Sequence, residues 1–254
     1  MTEESPISHV AVVAPPPPPT PKAHGIDISS WQHPGGRPID WKLVAEDGVT
    51  FVMVKASQGD TYVNPYLEED VLGAHAEGLI VGAYHYFVPG VDATKQADTF
   101  VGACVGHVLE LGAYIDWEPP EMPDWEATSQ YNALREKISE ARRPVGVYLE
   151  SWWHAAFVRM GLGISRLWTA GNWTGDLPIG TTIVQGKTEP VGGIIGAVDS
   201  DALVSVRGID IPRPAKPAEQ PFVAAGEAAE KATEPAEGSS ADLTADAALG
   251  SPPQ

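Results

Sequence analysis

The chain has 254 residues, 43% of them hydrophobic and 20% charged, with a formal net charge of −18. That apolar content is enough for a sizeable core, and the acid excess excludes the clustered Lys and Arg on which phosphate binding runs, so no nucleic-acid partner is expected. The same balance speaks against simple attraction to anionic lipid or wall polymer, which leaves local groove contacts to bind any such substrate.

Residues 1–24 hold an unbroken run from Pro15 to Pro19, which favours an extended polyproline arm and cannot join a helix or a central strand. Glu3 and Glu4 stand where a secretory leader would carry basic residues, so no signal peptide is read, and action outside a cell would need a route other than a standard leader. No window of about 18 apolar residues exists, so no membrane span is expected. The single cysteine, Cys104, excludes an intrachain disulfide and reads as a buried thiol.

Residues 25–210 read as one domain. Runs rich in β-formers fall at 25–29, 51–56, 80–87, 113–118, 145–150, 167–171, 182–186 and 196–198, with amphipathic helical stretches at 65–78, 93–111, 125–142 and 152–161. Asn64 and Asp92 are candidate N-caps, and Gly78 and Gly112 candidate stops. Strand followed by helix, repeated, indicates parallel pairing through right-handed crossovers. The later strands lie too close together for full helices between them. The expected fold is therefore α/β, an irregular β/α (TIM-like) barrel with the last helices short or missing; an open doubly wound sheet is the second choice, without a Gly-rich phosphate loop to support it. Residues 211–254 are rich in Ala, Pro, Glu, Ser and Thr, and read as a disordered acidic tail. A monomer is the default.

In parallel β/α folds the chemistry gathers at the C-terminal ends of the strands. Asp27, Asp116, Glu118 and Asp199 are carboxylates in or next to strand ends. Alternation puts Asp116 and Glu118 on one side, about 7 Å apart at the Cα level. Two such groups cannot both ionise freely, and the more buried one is pushed toward its neutral form. An acid beside a carboxylate is what glycosidic cleavage uses. An acidic pair also often caps a helix, but Asp27 and Asp199 at other strand ends favour function. Trp31, Tyr84, Tyr86, Trp117, Tyr148, Trp168 and Trp173 lie in or just after strands, where aromatic faces could wall a saccharide groove. Trp152 and Trp153 are assigned to packing. His33, His85 and Lys55 read as hydrogen-bonding or ion-pair partners; no metal-ligand spacing is present, and neither metal nor other cofactor is expected.

Several blocks in order resemble the family 25 glycoside hydrolases, the muramidases of phage endolysins and of bacterial and fungal lysozymes. These are His24 to Gln32, Phe51 to Gly59, Gly82 to Phe87, Asp116-Trp117-Glu118, Gly146-Val147-Tyr148 and Val198-Asp199. The resemblance implies hydrolysis of the β-1,4 bond between N-acetylmuramic acid and N-acetylglucosamine in bacterial peptidoglycan. It implies Glu118 as general acid, Asp116 as the group that orients the substrate N-acetyl or stabilises the transition state, and Asp27 and Asp199 as flanking carboxylates. Substrate-assisted cleavage with retention is the favoured scheme. Tyr84, Tyr86, Tyr148, Trp168, Gln185 and Lys55 are the implied substrate-binding residues. Two departures bear on glycan preference: Ile183-Val184-Gln185-Gly186 stands where relatives show Trp-Gln-Tyr, and Leu203 stands where Phe is frequent. Two rivals remain, a wall-binding module without catalysis and a metal-dependent hydrolase using Asp27, His85 and Asp116.

Overall fold

Each strand of the domain must bury two faces, one toward the inside of a closed sheet and one toward helices, and the composition of the runs answers that demand. Phe51 to Val54 are all fully buried, for example, although they alternate in direction. The structure, a computed structural model, describes residues 23–141, 144–170 and 177–204, all within one compact unit. The acidic tail expected over 211–254, and all of the proline-rich arm except Ala23 and His24, lie outside the described residues.

The strands are β1 (Ala23–Ile28), β2 (Phe51–Gln58), β3 (Tyr62–Val63), β4 (Ile80–Tyr86), β5 (Gly112–Asp116), β6 (Val145–Glu150), β7 (Leu167–Ala170), β8 (Thr181–Pro190) and β9 (Ala197–Leu203). The helices are α1 (Trp41–Glu46), α2 (Leu67–Ala76), α3 (Ala93–Ala103), α4 (Asp124–Ala141) and α5 (Ser151–Met160). The order β1-β9-β8-β7-β6-β5-β4-β2 is closed by direct pairing of β1 with β2, which makes an eight-stranded barrel, and β3 is a short hairpin extension of β2. Closure removes the open-sheet alternative. Among the described residues no helix follows α5, as expected from the close spacing of the last strands.

Two apolar layers hold the barrel. Its interior is packed by Phe51, Met53, Tyr114, Trp168, Ile183 and Leu203, while the opposite faces of the same strands meet the helices through residues such as Ile26, Val54, Ile115 and Leu149. Close approach inside explains Gly25: a Cβ there would stand 2.3 Å from the Phe51 ring, so only glycine lets that ring cross beneath β1.

The structure departs from the sequence reading in four places. β9 runs antiparallel to both β1 and β8, not parallel, because the six residues between β8 and β9 are too few for a crossover but suit a hairpin. β8 extends to Pro190; its outer half is solvent-exposed and polar, so it lacked the apolar run that marks a buried strand. α3 stops at Ala103 rather than 111: the Cys104 N–H closes onto Phe100 O, and Gly106 adopts φ 83°, which breaks the helix. α1 was not foreseen. It is a single-face helix of six residues, started by Asp40, whose carboxylate accepts from Leu43 N at 3.2 Å. Asp92 caps α3 as expected, by accepting from Thr94 N and Lys95 N, whereas Asn64 precedes its helix by an extra turn, accepting from Tyr66 N.

Candidate active site

The register of the barrel decides which side chains meet. Asp27 of β1 lies opposite Asp199 of β9, Lys55 of β2 opposite Tyr84 of β4, Tyr86 opposite Asp116 of β5, Asp116 opposite Tyr148 of β6, and Ala170 of β7 opposite Gln185 of β8. Since the parallel strands all point their C-terminal ends one way, all of these residues but Ala170 surround one cavity of about 490 Å³. All ten residues singled out from the sequence line it: Asp27, Lys55, Tyr84, Tyr86, Asp116, Glu118, Tyr148, Trp168, Gln185 and Asp199.

At its floor Asp116 is buried, and its Oδ1 has no hydrogen-bond partner. Burial holds Asp116 well above the usual carboxylate range, and the Glu118 charge beside it pushes further the same way. Glu118 is raised as well, first by burial, while its hydrogen bond with Asp116 draws it back. The free pair therefore keeps a shared proton on Asp116, which donates to Glu118. Lys55 faces both; burial lowers it and the two carboxyls oppose that. Its Nζ donates to Gln58 Oε1 at 2.6 Å and sits 4.6 Å from the centre of the Tyr86 ring.

On the other wall the Tyr148 hydroxyl donates to Gln185 Oε1 at 2.9 Å, and Gln185 Nε2 donates to Asp27 Oδ2 at 2.8 Å. Gln185 thus links two walls of the cavity. Thr188 donates to Asp199 at 2.6 Å. Asp27 is pushed up to about 7 by burial, aided by the charges of Asp199 and Glu118 and opposed by Gln185.

Two neighbours escaped the sequence reading. Asp201, two residues beyond Asp199 on the same face, is buried beneath the cavity, accepts the Trp168 indole N–H at 2.9 Å, and is held well above the usual range by burial. Strict period-two reading of β9 would have found it. Glu150, at the end of β6, carries no such signal. Among the aromatics, Trp117 is a correction: lying between Asp116 and Glu118, it points the opposite way, out of the barrel, stacking on Phe87 at 4.1 Å. Trp153 packs as assigned, and Trp152 lies against its ring at 4.8 Å while remaining 46% exposed. Trp31 stands at the cavity mouth, 78% exposed; Trp173 lies outside the described residues. His33 and His85 are structural: His33 Nε2 lies 3.1 Å from both Asp70 oxygens, and His85 bonds Ser57 and Gln96 behind the sheet. Among the described residues no group of three His, Cys, Asp or Glu is arranged to hold a metal ion.

A pH effect follows from Asp27. Its folded value of about 7 exceeds the ordinary 3.8, so its contribution to stability is complete below pH 3.8 and is lost as pH rises through 7. Asp27→Asn removes that loss. The variant's melting temperature relative to the parent is expected to climb by several degrees between pH 4 and pH 8, as followed by circular dichroism; an unchanging difference would contradict the burial of this carboxyl.

The comparisons with known proteins agree with this geometry. The family model for glycosyl hydrolases family 25 matches residues 26–176. The uncharacterized protein YegX of Escherichia coli (strain K12) is 39% identical over 124 residues, 46% of this chain and 41% of that protein. Lysozyme M1 of Streptomyces globisporus is 35% identical over 85 residues, 33% of this chain and 28% of that protein. The matched stretches thus span less than half the length of these curated relatives. The crystal structure of the bacterial lysozyme from Streptomyces coelicolor superposes with a TM-score of 0.60 at 25% identity, covering 72% of this chain and 92% of that one. With its barrel, its acid pair and a match that runs over more than half of its length, this chain belongs to the glycosyl hydrolases of family 25.

Proposed function

We propose that the chain is a peptidoglycan muramidase that hydrolyses the β-1,4 bond between N-acetylmuramic acid and N-acetylglucosamine. The observation that carries this reading is the Asp116–Glu118 pair, one proton between a buried and a half-buried carboxyl at the floor of an aromatic-walled cavity. The unpartnered Oδ1 of Asp116 suits the N–H of a substrate acetamido group. Once Asp116 accepts that N–H, its own proton is better placed on Glu118. Glu118 then protonates the glycosidic oxygen while the acetamido oxygen attacks C1, and the C1–O bond breaks. Water opens the resulting oxazolinium, giving its proton to Glu118, and configuration is retained. Tyr84, Tyr86, Tyr148 and Trp168 offer faces and hydroxyls to the sugar rings, Lys55 and Gln185 offer donors, and Asp27 and Asp199 flank the reacting ring.

The reading is tested on purified peptidoglycan by the fall in turbidity, by release of reducing ends and by mass analysis of the fragments. New reducing ends on N-acetylmuramic acid, unaffected by chelator, are expected. Binding without new ends would favour a wall-binding module. A chelator-sensitive cut would favour the metal-dependent hydrolase, a reading already weakened because His85 turns behind the sheet to Ser57 and Gln96.

A further inference from the structure

The acid pair has a neighbour that the scheme above leaves unused. β6 runs parallel to β5 with Asp116 opposite Tyr148, and the Trp117 N–H donates to Tyr148 O at 3.1 Å, which carries the pairing one residue past the end of β5. Two residues beyond Asp116 and Tyr148 stand Glu118 and Glu150. Alternation turns Glu150 to the side of Tyr148, whose ring belongs to the barrel interior. Register and alternation thus place both residues on the barrel side of the β5–β6 rim, where the charge of Glu150 reaches Glu118.

Glu150 has no structural duty that accounts for it. It is the N-cap residue of α5, a position that favours Ser, Thr, Asp or Asn, yet its side chain makes no capping bond. Its Oε2 instead accepts the indole N–H of Trp152 at 2.5 Å. Trp152 is half-exposed, so this bond is made at the rim, where it restrains a long side chain that would otherwise sample open solvent.

We propose that Glu150, tethered by Trp152, is a positioning residue for the Glu118 proton, its negative charge resisting ionisation of the acid; the inference rests on the reading of Glu118 as general acid. Among the described residues the other groups facing Glu118 are Asp116 alongside it, Lys55 from β2, Asp27 from β1, and the hydroxyls of Tyr84 and Tyr86 from β4 and of Tyr148 from β6, with Asp199 of β9 behind Asp27. Lys55 favours the ionised acid. Burial drives Asp116 and Asp27 toward their neutral forms, which leaves Glu150 to oppose Lys55. The Glu150 charge raises Glu118, in agreement with the geometry.

Because the proton passes to Glu118 only in the complex, the test is the pH dependence of kcat at saturating soluble glycan fragments prepared from peptidoglycan, for the parent chain, Glu150→Gln, Glu150→Asp, Trp152→Phe and Glu118→Gln. Removing the charge makes Glu118 ionise earlier, so the alkaline limb of Glu150→Gln is expected to move down by about half to one pH unit. Glu150→Asp restores part of that shift. Trp152→Phe keeps the ring but loses the N–H, and moves the limb the same way by less. If Glu118→Gln is inactive while the Glu150→Gln limb coincides with the parent's, the inference falls and the function stands. A rate lost equally at every pH also overturns it, because that marks Glu150 as merely structural. If Glu118→Gln keeps full activity, the reading of the acid itself is wrong and the inference goes with it.

Discussion

Glu118→Gln is expected to lower turnover on peptidoglycan by about 10²–10⁴-fold, the usual contribution of a general acid. The amide is nearly the size of the acid and still accepts the hydrogen bond from Asp116, so the cavity keeps its shape while the transferable proton is lost. Stability should not suffer. Burial raises Glu118 above its ordinary range, which means that its ionised form is a cost to the fold at neutral pH, and Gln avoids that cost. The expected signature is therefore a split: turbidity clearing nearly abolished, melting temperature equal to or above the parent's. A variant that clears wall as fast as the parent would remove Glu118 from the mechanism. One that loses activity together with its melting transition would say nothing specific about proton transfer.

The neighbouring substitution Trp117→Ala should act on stability instead. Trp117 is fully buried on the outer face of the barrel, stacked on Phe87 and in edge contact with Tyr131, Trp153 and Phe157 at 5.7–5.9 Å. Deleting so large a ring leaves a cavity that these neighbours, fixed on β4's end, α4 and α5, can only partly fill. A loss of about 3–5 kcal/mol is expected from urea unfolding, a large share of the ~5–15 kcal/mol that holds a typical domain. Trp117→Phe should cost clearly less, because the indole nitrogen has no hydrogen-bond partner to lose. A Trp117→Ala variant within about 1 kcal/mol of the parent would contradict the outward packing. Successive residues of one strand end thus serve two ends: Asp116 and Glu118 face the cavity, and the tryptophan between them anchors the strand that presents them.

The acidic character of the site is itself a stability burden. Asp27, Asp116, Glu118 and Asp201 are all raised by burial, and among the described residues none is paired with an arginine; Lys55 is the nearby cation among them. A fold selected for stability alone would not gather them. Their cost is met by the two apolar layers, and their presence at the C-terminal ends of the barrel strands is the physical mark of a site rather than of a solvated surface.

Much of this was readable along the chain. The runs at 51–56, 80–87, 113–118 and 145–150 announce strands because both of their faces are buried, so no polar alternation dilutes the signal. The Asp116-Trp117-Glu118 triplet announces same-side carboxyls because side-chain direction has a period of two, a local property that needs no knowledge of partners. Helix caps such as Asp92 are equally local. What local pattern could not supply is the identity of neighbours. That β9 returns antiparallel, that Gln185 reaches Asp27 across 158 positions, and that the charge of Glu150 acts on Glu118 are matters of register between strands distant in sequence. The polar half of β8 shows the same limit, since a hairpin arm facing solvent satisfies its backbone without leaving an apolar trace. The sequence by itself therefore determined the barrel's strands, the direction of the acid pair and the family to which the chain belongs. Only the tertiary structure decided which carboxyl holds the shared proton, because burial and the approach of other charges set that proton's place, and both exist only once the barrel has closed.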